Sequence, residues 1–255
     1  MMTMPWPTFA ADESTVKPAH LPPMLQSLVD SGKVEVLRSF NTDVPGLTGY
    51  AVEHGGQGDV VYGMHEHLFV GQLISAKGQN LTKIYAQHYL PKPDLSTVVK
   101  KLKAGGHLIA EGAHNAPLIY AMVDPDCIFC YHFFNATRKA VRAGKLQVQW
   151  VLMGFLKSSS QARAEAILTA KDPLAALRKN YKNFDTGHEE GGMPPIKQPS
   201  AKMQTLLSDH FKAMQSVGSN GTPTLLFKGT DGKWTLHVGL PSPQWLENYQ
   251  QGKPV

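Results

Sequence analysis

The sequence has few cysteines, no long apolar run and no strong charge of either sign. Only two of its 255 residues are cysteine. No stretch approaches the roughly 18 apolar residues of a membrane-spanning helix, so insertion into a membrane is not expected. The formal net charge of +5 is spread along the chain without a long basic run, so nucleic-acid binding is not expected either. A hydrophobic fraction of 42% with 18% charged residues excludes wholesale disorder and fits a folded protein of one or two domains.

The first residues, Met1 to Thr15, have neither the basic region nor the apolar region of a signal peptide. On this basis the sequence is expected to be either a mature form with added residues or a cytosolic protein. Its low cysteine content is compatible with both.

The two cysteines, Cys127 and Cys130, lie three positions apart in a CxxC pattern. A disulfide between them would close a loop of only about four residues, which stabilises a fold very little. The same spacing suits thiol–disulfide exchange, because one thiolate attacks a foreign disulfide and its neighbour resolves the mixed intermediate. An apolar, β-prone run from Pro117 to Val123 precedes the pair, and a helix is predicted from Cys130 to Arg142. A strand, a CxxC and a helix in this order are typical of a thioredoxin-like redox site.

The pair has three other interpretations. A c-type haem site needs a histidine directly after the second cysteine, and Tyr131 stands there. A zinc site needs two further ligands, and no histidine forms a Cys/His knuckle with Cys127 and Cys130. Two inert buried thiols remain an alternative, because free cysteine is often buried.

The position of each cysteine predicts its role. Cys127 is expected at the N-terminus of the helix, where the helix dipole and free N–H groups lower a thiol pKa, so it is the predicted nucleophile. Cys130 is expected one turn inside and is the predicted resolving thiol. Ile128 and Phe129 offer no cation or side-chain donor, and Asp126 adds a negative charge. The pKa of Cys127 is therefore expected to be lowered only moderately.

A second feature lies far downstream, where Thr222 and Pro223 open an apolar strand. Proline is tolerated at the first residue of a strand. A cis bond before it would free the N–H and C=O of Thr222 to pair with an incoming peptide by strand addition. The alternative is a trans proline at the start of an ordinary strand. Asp124 has two interpretations as well: it assists proton transfer at the dithiol, or it fixes the Asp-Pro turn before the helix.

Periodicity indicates two parts. The first contains an amphipathic helix from Leu21 to Gly32 and about four short strands, of which the last spans Leu68 to Ile74. A helix capped by Asp94 follows. The second part interleaves strands and helices around the CxxC and includes a helix-rich stretch at 158–217. The predicted fold class is α+β.

The CxxC preceded by Asp124-Pro125, the aromatic Phe133, and Thr222-Pro223 about ninety residues later resemble the bacterial periplasmic disulfide isomerases of the DsbC/DsbG family. The absence of other cysteines is more similar to the DsbG branch. The resemblance implies a V-shaped homodimer, with an N-terminal cystatin-like dimerisation domain at 16–90 and a linker helix at 91–106. It further implies a thioredoxin-fold domain at 107–255 with a helical insertion at about 158–217.

The resemblance also implies roles for individual residues. Cys127 and Cys130 would be catalytic, and Thr222 and Pro223 would bind substrate. Members of the family usually carry Pro-Tyr or Gly-Tyr between the cysteines, where this chain has Ile128 and Phe129, which are therefore expected to tune the redox potential.

The implied function is a periplasmic thiol–disulfide oxidoreductase or isomerase acting on misoxidised or sulfenylated cysteines of exported proteins. No cofactor and no metal are expected. The expected partners are unfolded or misoxidised clients, a DsbD-like membrane thiol reductase and a second copy of the chain. The alternatives are a holdase chaperone and a copper- or zinc-handling protein that uses the dithiol as ligands.

Overall fold

The computed structural model describes residues 21–55, 57–91 and 94–255. The chain divides into two compact units, Met1–Lys92 and Pro93–Val255. The start of the expected dimerisation domain at residue 16 lies outside the described residues, as do residues 92 and 93 of the expected linker helix and the segment on which the signal-peptide expectation rests.

The first unit is an antiparallel sheet with a helix on each face. Its elements are α1 (Pro23–Asp30), β1 (Glu35–Asn41), β2 (Thr48–His54), β3 (Gln57–Met64), β4 (His67–Phe69) and α2 (Leu81–Tyr89). The strands follow one another in the order β1-β2-β3-β4. Because side chains alternate along a strand, Ala51 packs on one side with Tyr85 of α2, and Tyr50 packs on the other with Leu25 of α1.

Two features of this unit differ from the sequence-based expectation. The strand predicted from Leu68 to Ile74 ends at Phe69, and α2 was not predicted. Both differences have one physical cause. Leu73 N–H donates a hydrogen bond to Thr82 Oγ1 (2.7 Å), and the Leu73 carbonyl accepts one from Leu81 N–H (2.8 Å). This segment therefore holds the start of α2 instead of extending the sheet.

The second unit is built on a mixed five-stranded sheet. Its elements are α3 (Leu95–Gly105), β5 (Ile109–Gly112), β6 (Leu118–Val123), α4 (Ile128–Arg142), β7 (Gln147–Leu152), α5 (Ser160–Leu168), α6 (Pro173–Lys182), α7 (Ala201–Ser216), β8 (Thr224–Lys228), β9 (Trp234–Val238) and α8 (Pro243–Gln250). The strand order is β5-β7-β6-β8-β9. Strands β6 and β7 are parallel and are joined through α4, whereas the other neighbours are antiparallel. The predicted α+β class is confirmed.

Helices cover both faces of this sheet, so that its central strand β6 is buried from either side. Ile119 and Val123 face the larger core, which includes residues of α4, α5, α6 and α8. Tyr120 and Met122 face the smaller core. Continuous burial on both faces explains why β6 reads as an uninterrupted apolar run.

Helix α3 is the helix predicted from Asp94, whose side chain accepts hydrogen bonds from the N–H groups of Ser96 and Thr97. Its apolar face, with Val99 and Leu102, packs in the smaller core of the second unit. Its role as a linker, the domain boundaries and the identity of 158–217 as an insertion stay predictions.

Candidate active site

The dithiol lies where β6 ends and α4 begins. Cys127 is the N-cap of α4, and its Sγ accepts a hydrogen bond from Cys130 N–H at 3.4 Å. The helix therefore begins at Ile128, two residues earlier than predicted. Cys127 exposes 4% of its surface and Cys130 none. The more accessible thiol is thus the one at the helix terminus.

The sheet brings Thr222 to the dithiol. Strand β8 runs antiparallel beside β6, with Thr224 opposite Met122, so the start of β8 lies at the end of β6. The Cys127 thiol donates to the Thr222 carbonyl oxygen at 3.4 Å, although 95 positions separate the two residues. The Thr222–Pro223 bond is cis, so the trans alternative is excluded. The role of both residues in substrate binding stays a prediction.

The two thiols differ in acidity. A hydrogen bond from the Cys130 side chain, helped by the N–H groups of Cys130 and Phe129, outweighs burial and lowers the pKa of Cys127 to about 7. Burial raises the pKa of Cys130 well above its ordinary value, and the neighbouring Cys127 raises it further. This agrees with the moderate lowering expected for Cys127. Near neutral pH only one of the two thiols has a substantial thiolate fraction.

The two residues between the cysteines have different surroundings. Ile128 is partly buried and packs against the larger core of the second unit. Phe129 is 56% exposed. Their expected influence on the redox potential stays a prediction.

Asp124 is fully buried and holds the turn in front of the dithiol. Its carboxylate accepts from Asp126 N–H (3.0 Å) and, from the segment after β7, from the N–H groups of Phe155 (2.8 Å) and Leu156 (3.1 Å). Burial raises its pKa in spite of these hydrogen bonds. The contacts are those of the turn-fixing alternative.

The sequence-based reasoning missed the residues that hold Pro125 and Asp126. Asn180 of α6 donates to the Pro125 carbonyl oxygen at 2.9 Å. Arg163 of α5 is buried, and its Nε lies 2.7 Å from Asp126 Oδ1. The available signal was the pair of charged side chains, Arg163 and Glu165, among the alanines of α5, but that signal does not identify the partner of Arg163.

A larger buried charge cluster lies elsewhere in the second unit. Glu111 accepts from Arg138 (2.5 and 2.7 Å), Arg178 (2.8 Å) and Trp150 Nε1 (3.0 Å). Burial acts to raise the pKa of Glu111, but these donors and the charge of Arg138 outweigh it, so the pKa lies below its ordinary value. The cluster ties α4 and α6 to the edge strand β5.

Within residues 21–55, 57–91 and 94–255, no group of three or more His, Cys, Asp or Glu side chains is placed to hold a metal ion. In the same residues, no helix has both the length and the apolar character needed to cross a bilayer.

The fold and the site together define a class of protein. A parallel β6–α4–β7 unit, a dithiol at the N-terminus of α4 and a cis-proline strand beside it are the parts of a thioredoxin-like thiol–disulfide oxidoreductase. Two crystal structures of ScsC from Proteus mirabilis share the fold. The compact conformation has a TM-score of 0.50 at 16% identity over 67% of this chain and 85% of that one, and the transitional conformation has 0.50 at 16% over 66% and 81%.

Sequence comparison identifies the family. The chain is 30% identical over 235 residues to the thiol:disulfide interchange protein DsbG of Pseudomonas aeruginosa, covering 89% of this chain and 87% of that protein. It is 28% identical over 234 residues to DsbG of Escherichia coli, covering 89% and 90%. No protein-family model matches the chain. The chain belongs to the DsbC/DsbG family of thiol:disulfide interchange proteins and is an enzyme of the oxidoreductase/isomerase class.

Proposed function

We propose that the protein reduces or isomerises wrong disulfides in exported proteins of the periplasm, with Cys127 as the nucleophile and Cys130 as the resolving thiol. The observation that carries this proposal is the difference between the two thiols. Cys127 caps α4 with a pKa of about 7, whereas Cys130 is fully buried with a raised pKa. A thiolate at neutral pH is the species that attacks a disulfide.

The first chemical step forms a mixed disulfide. The Cys127 thiolate attacks one sulfur of a client disulfide, the client S–S bond breaks, and the second client sulfur leaves as a thiolate that takes a proton from solvent. With a sulfenylated client, the same attack on the S–OH sulfur breaks the S–O bond and displaces hydroxide, which takes a proton from solvent and leaves as water. In both cases Cys127 becomes covalently bound to the client.

The second step decides between reduction and isomerisation. If Cys130 gives up its proton and attacks Cys127 Sγ, the Cys127–client S–S bond breaks and the client sulfur leaves as a thiolate that takes a proton. The client then leaves reduced, and the protein keeps a Cys127–Cys130 disulfide. If another client thiolate attacks the bound client sulfur, the client leaves with a new disulfide and the dithiol is restored. The first route consumes two electrons from the dithiol, and we assign their replacement to a membrane thiol reductase of the DsbD kind.

Thr222 and Pro223 are proposed to dock the client backbone beside Cys127. Within the described part of the chain, the Thr222 N–H makes no hydrogen bond, and the Thr222 carbonyl accepts only from the Cys127 thiol. A client segment that adds alongside Thr222 would satisfy that N–H. Its cysteine would then be held against Cys127.

The first unit is proposed to form a homodimer. Its β4 is an edge strand, and the residues at and after it leave large apolar side chains exposed: 48% of Phe69, 74% of Val70 and 51% of Ile74. An exposed apolar edge favours pairing with another chain, and a symmetric pair buries it on both copies. Two dithiols in one dimer would meet a client at a higher effective concentration.

The test of the proposed chemistry is trapping. Cys130→Ala should accumulate mixed disulfides with a client that carries a non-native disulfide, because no internal thiol resolves them. Cys127→Ala should trap none, since the pKa of buried Cys130 is raised. The trapped species are read by non-reducing electrophoresis and by mass spectrometry of the linked peptides. Equal trapping by the two variants would overturn the assignment of the nucleophile.

A further inference from the structure

Asp126, the residue directly before Cys127, has a buried set of partners outside α4. Its Oδ1 lies 2.7 Å from Arg163 Nε and accepts from Gly191 N–H at 2.8 Å. Its Oδ2 accepts from Ser160 Oγ at 2.9 Å. Arg163 in turn donates to the carbonyl oxygens of Gly191 and Met193. The carboxylate is therefore directed toward α5 and the segment after α6.

Because Asp126 and Arg163 are buried, the charge on either one acts strongly on Cys127 when the other is removed. Asp126 is 1% exposed, and the Arg163 side chain is 6% exposed. In such surroundings an unpaired charge acts strongly on a neighbour, because water screens it little. An unpaired carboxylate one residue from Cys127 would oppose the formation of a second negative charge there.

We propose that Arg163 is a positioning residue for the thiol–disulfide reaction: it keeps the Asp126 carboxylate paired and directed toward α5, so that the Cys127 thiolate forms beside a neutralised group. This inference rests on the proposed role of Cys127 as the nucleophile. In the described part of the chain Arg163 has no hydrogen bond or ion pair with either thiol, so it acts through Asp126.

Other titratable groups also face the dithiol. Cys130 comes from α4, Asp124 from the turn, and Tyr181 from α6, where its hydroxyl donates to the Asp124 carbonyl oxygen at 3.4 Å. Glu190 lies 3.5 Å from Arg163 Nη2 and has a half-exposed side chain. A change at position 126 or 163 leaves Cys130, Asp124 and Tyr181 in place, so their contributions are common to all variants compared below. Arg163→Met also removes the ion-pair partner of Glu190, which adds to the unpaired negative charge in that variant.

The two single variants are expected to shift the pKa of Cys127 in opposite directions. Arg163→Met leaves the Asp126 charge unpaired, which should raise the pKa of Cys127 by about one pH unit. Asp126→Asn leaves the Arg163 charge without its main partner, and this positive charge should lower the pKa of Cys127. Glu190 offsets part of that charge, so the second shift should be about half as large.

Combined and conservative variants sharpen the comparison. Asp126→Asn with Arg163→Met removes both charges and should return the pKa to within about 0.3 of the wild-type value. Arg163→Lys keeps the positive charge, so the pKa of Cys127 should also stay within about 0.3 of the wild-type value, even if the variant is less stable. A role confined to holding the fold would not produce opposite signs in the single variants or recovery in the double variant.

The experiment measures the rate of Cys127 alkylation by iodoacetamide against pH in the reduced full-length protein. Arg142→Met is the matched control, since it removes the same charge from the far end of α4, about 22 Å along the helix. This control variant should leave the midpoint of the alkylation rate against pH unchanged. Shifts of the same sign in both single variants, or no shift in either, would overturn the inference.

Two further outcomes stay informative. If Arg163→Met does not fold, the lowered pKa of Asp126→Asn and its recovery in the double variant still decide the question. If Cys127 of the wild-type protein does not titrate near neutral pH and does not trap clients, the proposed function fails. If wild-type Cys127 titrates near neutral pH and traps clients, but its pKa is unchanged in the variants, only the role of Arg163 is refuted.

Discussion

Cys130→Ala should raise the pKa of Cys127 as well as trapping mixed disulfides. The Cys130 side chain is the largest single cause that lowers the pKa of Cys127 to about 7. The substitution removes that donor. The Cys130 N–H at 3.4 Å and the N-terminal position on α4 remain. The pKa should therefore move upward and still stay below the ordinary cysteine value of about 8.5.

The size of the shift follows from the lost hydrogen bond. A hydrogen bond to a charged group contributes about 1.5–3 kcal/mol, and a thiol is a weak donor, so the lower end applies. About 1.4 kcal/mol corresponds to one pKa unit, which places Cys127 near 8 in the variant. The thiolate fraction at pH 7 would then fall from about one half to about one tenth, and alkylation at that pH would slow about fivefold.

The assay is the alkylation rate between about pH 5.5 and 9.5, with thiolate absorbance near 240 nm as an independent readout. Cys127→Ala serves as the control and should show no titration near neutral pH, because burial raises the pKa of Cys130. An unchanged or lowered midpoint in Cys130→Ala would refute the reasoning. A thiol titrating near pH 7 in Cys127→Ala would refute it as well.

Two further predictions concern stability and assembly. Glu111→Gln should destabilise the protein at pH 7 by about 2–4 kcal/mol in urea unfolding, because it leaves the partly buried Arg138 without its carboxylate. The folded-state pKa of Glu111 is lowered, so its contribution to the free energy of unfolding is fully present above the unfolded-state pKa. That contribution is lost as the pH falls through the folded-state pKa. The difference in stability between the wild-type protein and Glu111→Gln should therefore shrink on acidification. Val70→Glu should convert a dimer into monomers in sedimentation, whereas Val238→Glu, at a 51% exposed valine of the second unit, should not. A monomeric wild-type protein would contradict the dimer proposal.

The local parts of the site could be predicted from the sequence. A strand, a CxxC and a helix follow one another along the chain, so their juxtaposition needs no knowledge of tertiary structure. The contact between Thr222 and Cys127 is long-range, and it was predictable because a proline at the start of a strand restricts the backbone and the family resemblance supplied its partner.

The parts that were missed depend on contacts that no local pattern reveals. The helix bound predicted at Cys130 was two residues late, because α4 begins at Ile128; the expected position of Cys127 at the helix N-terminus is confirmed. Helix α2 was missed, although Asn80 caps it and Tyr85 is buried on it, because its start is held by the carbonyl and N–H of Leu73. The predicted strand ended early for the same reason.

Asp126 illustrates how a correct local observation leads to an incomplete conclusion. The sequence shows a negative charge beside the nucleophile, and that alone indicates a less acidic thiol. The fold adds Arg163, which is 37 positions later in the chain and whose Nε lies 2.7 Å from that carboxylate. Under the proposed role of Arg163, the acidity of Cys127 depends on this buried pair as well as on the residues inside the CxxC.

The three residues before Cys127 are each held by a different element. The Asp124 side chain accepts from the segment after β7, Asn180 of α6 holds the Pro125 carbonyl, and Arg163 of α5 pairs with Asp126. The backbone that positions the nucleophile is thus fixed by buried contacts made outside the CxxC helix. Since catalytic geometry is lost with small displacements, the α5 and α6 helices are part of what sets the reactivity of the dithiol.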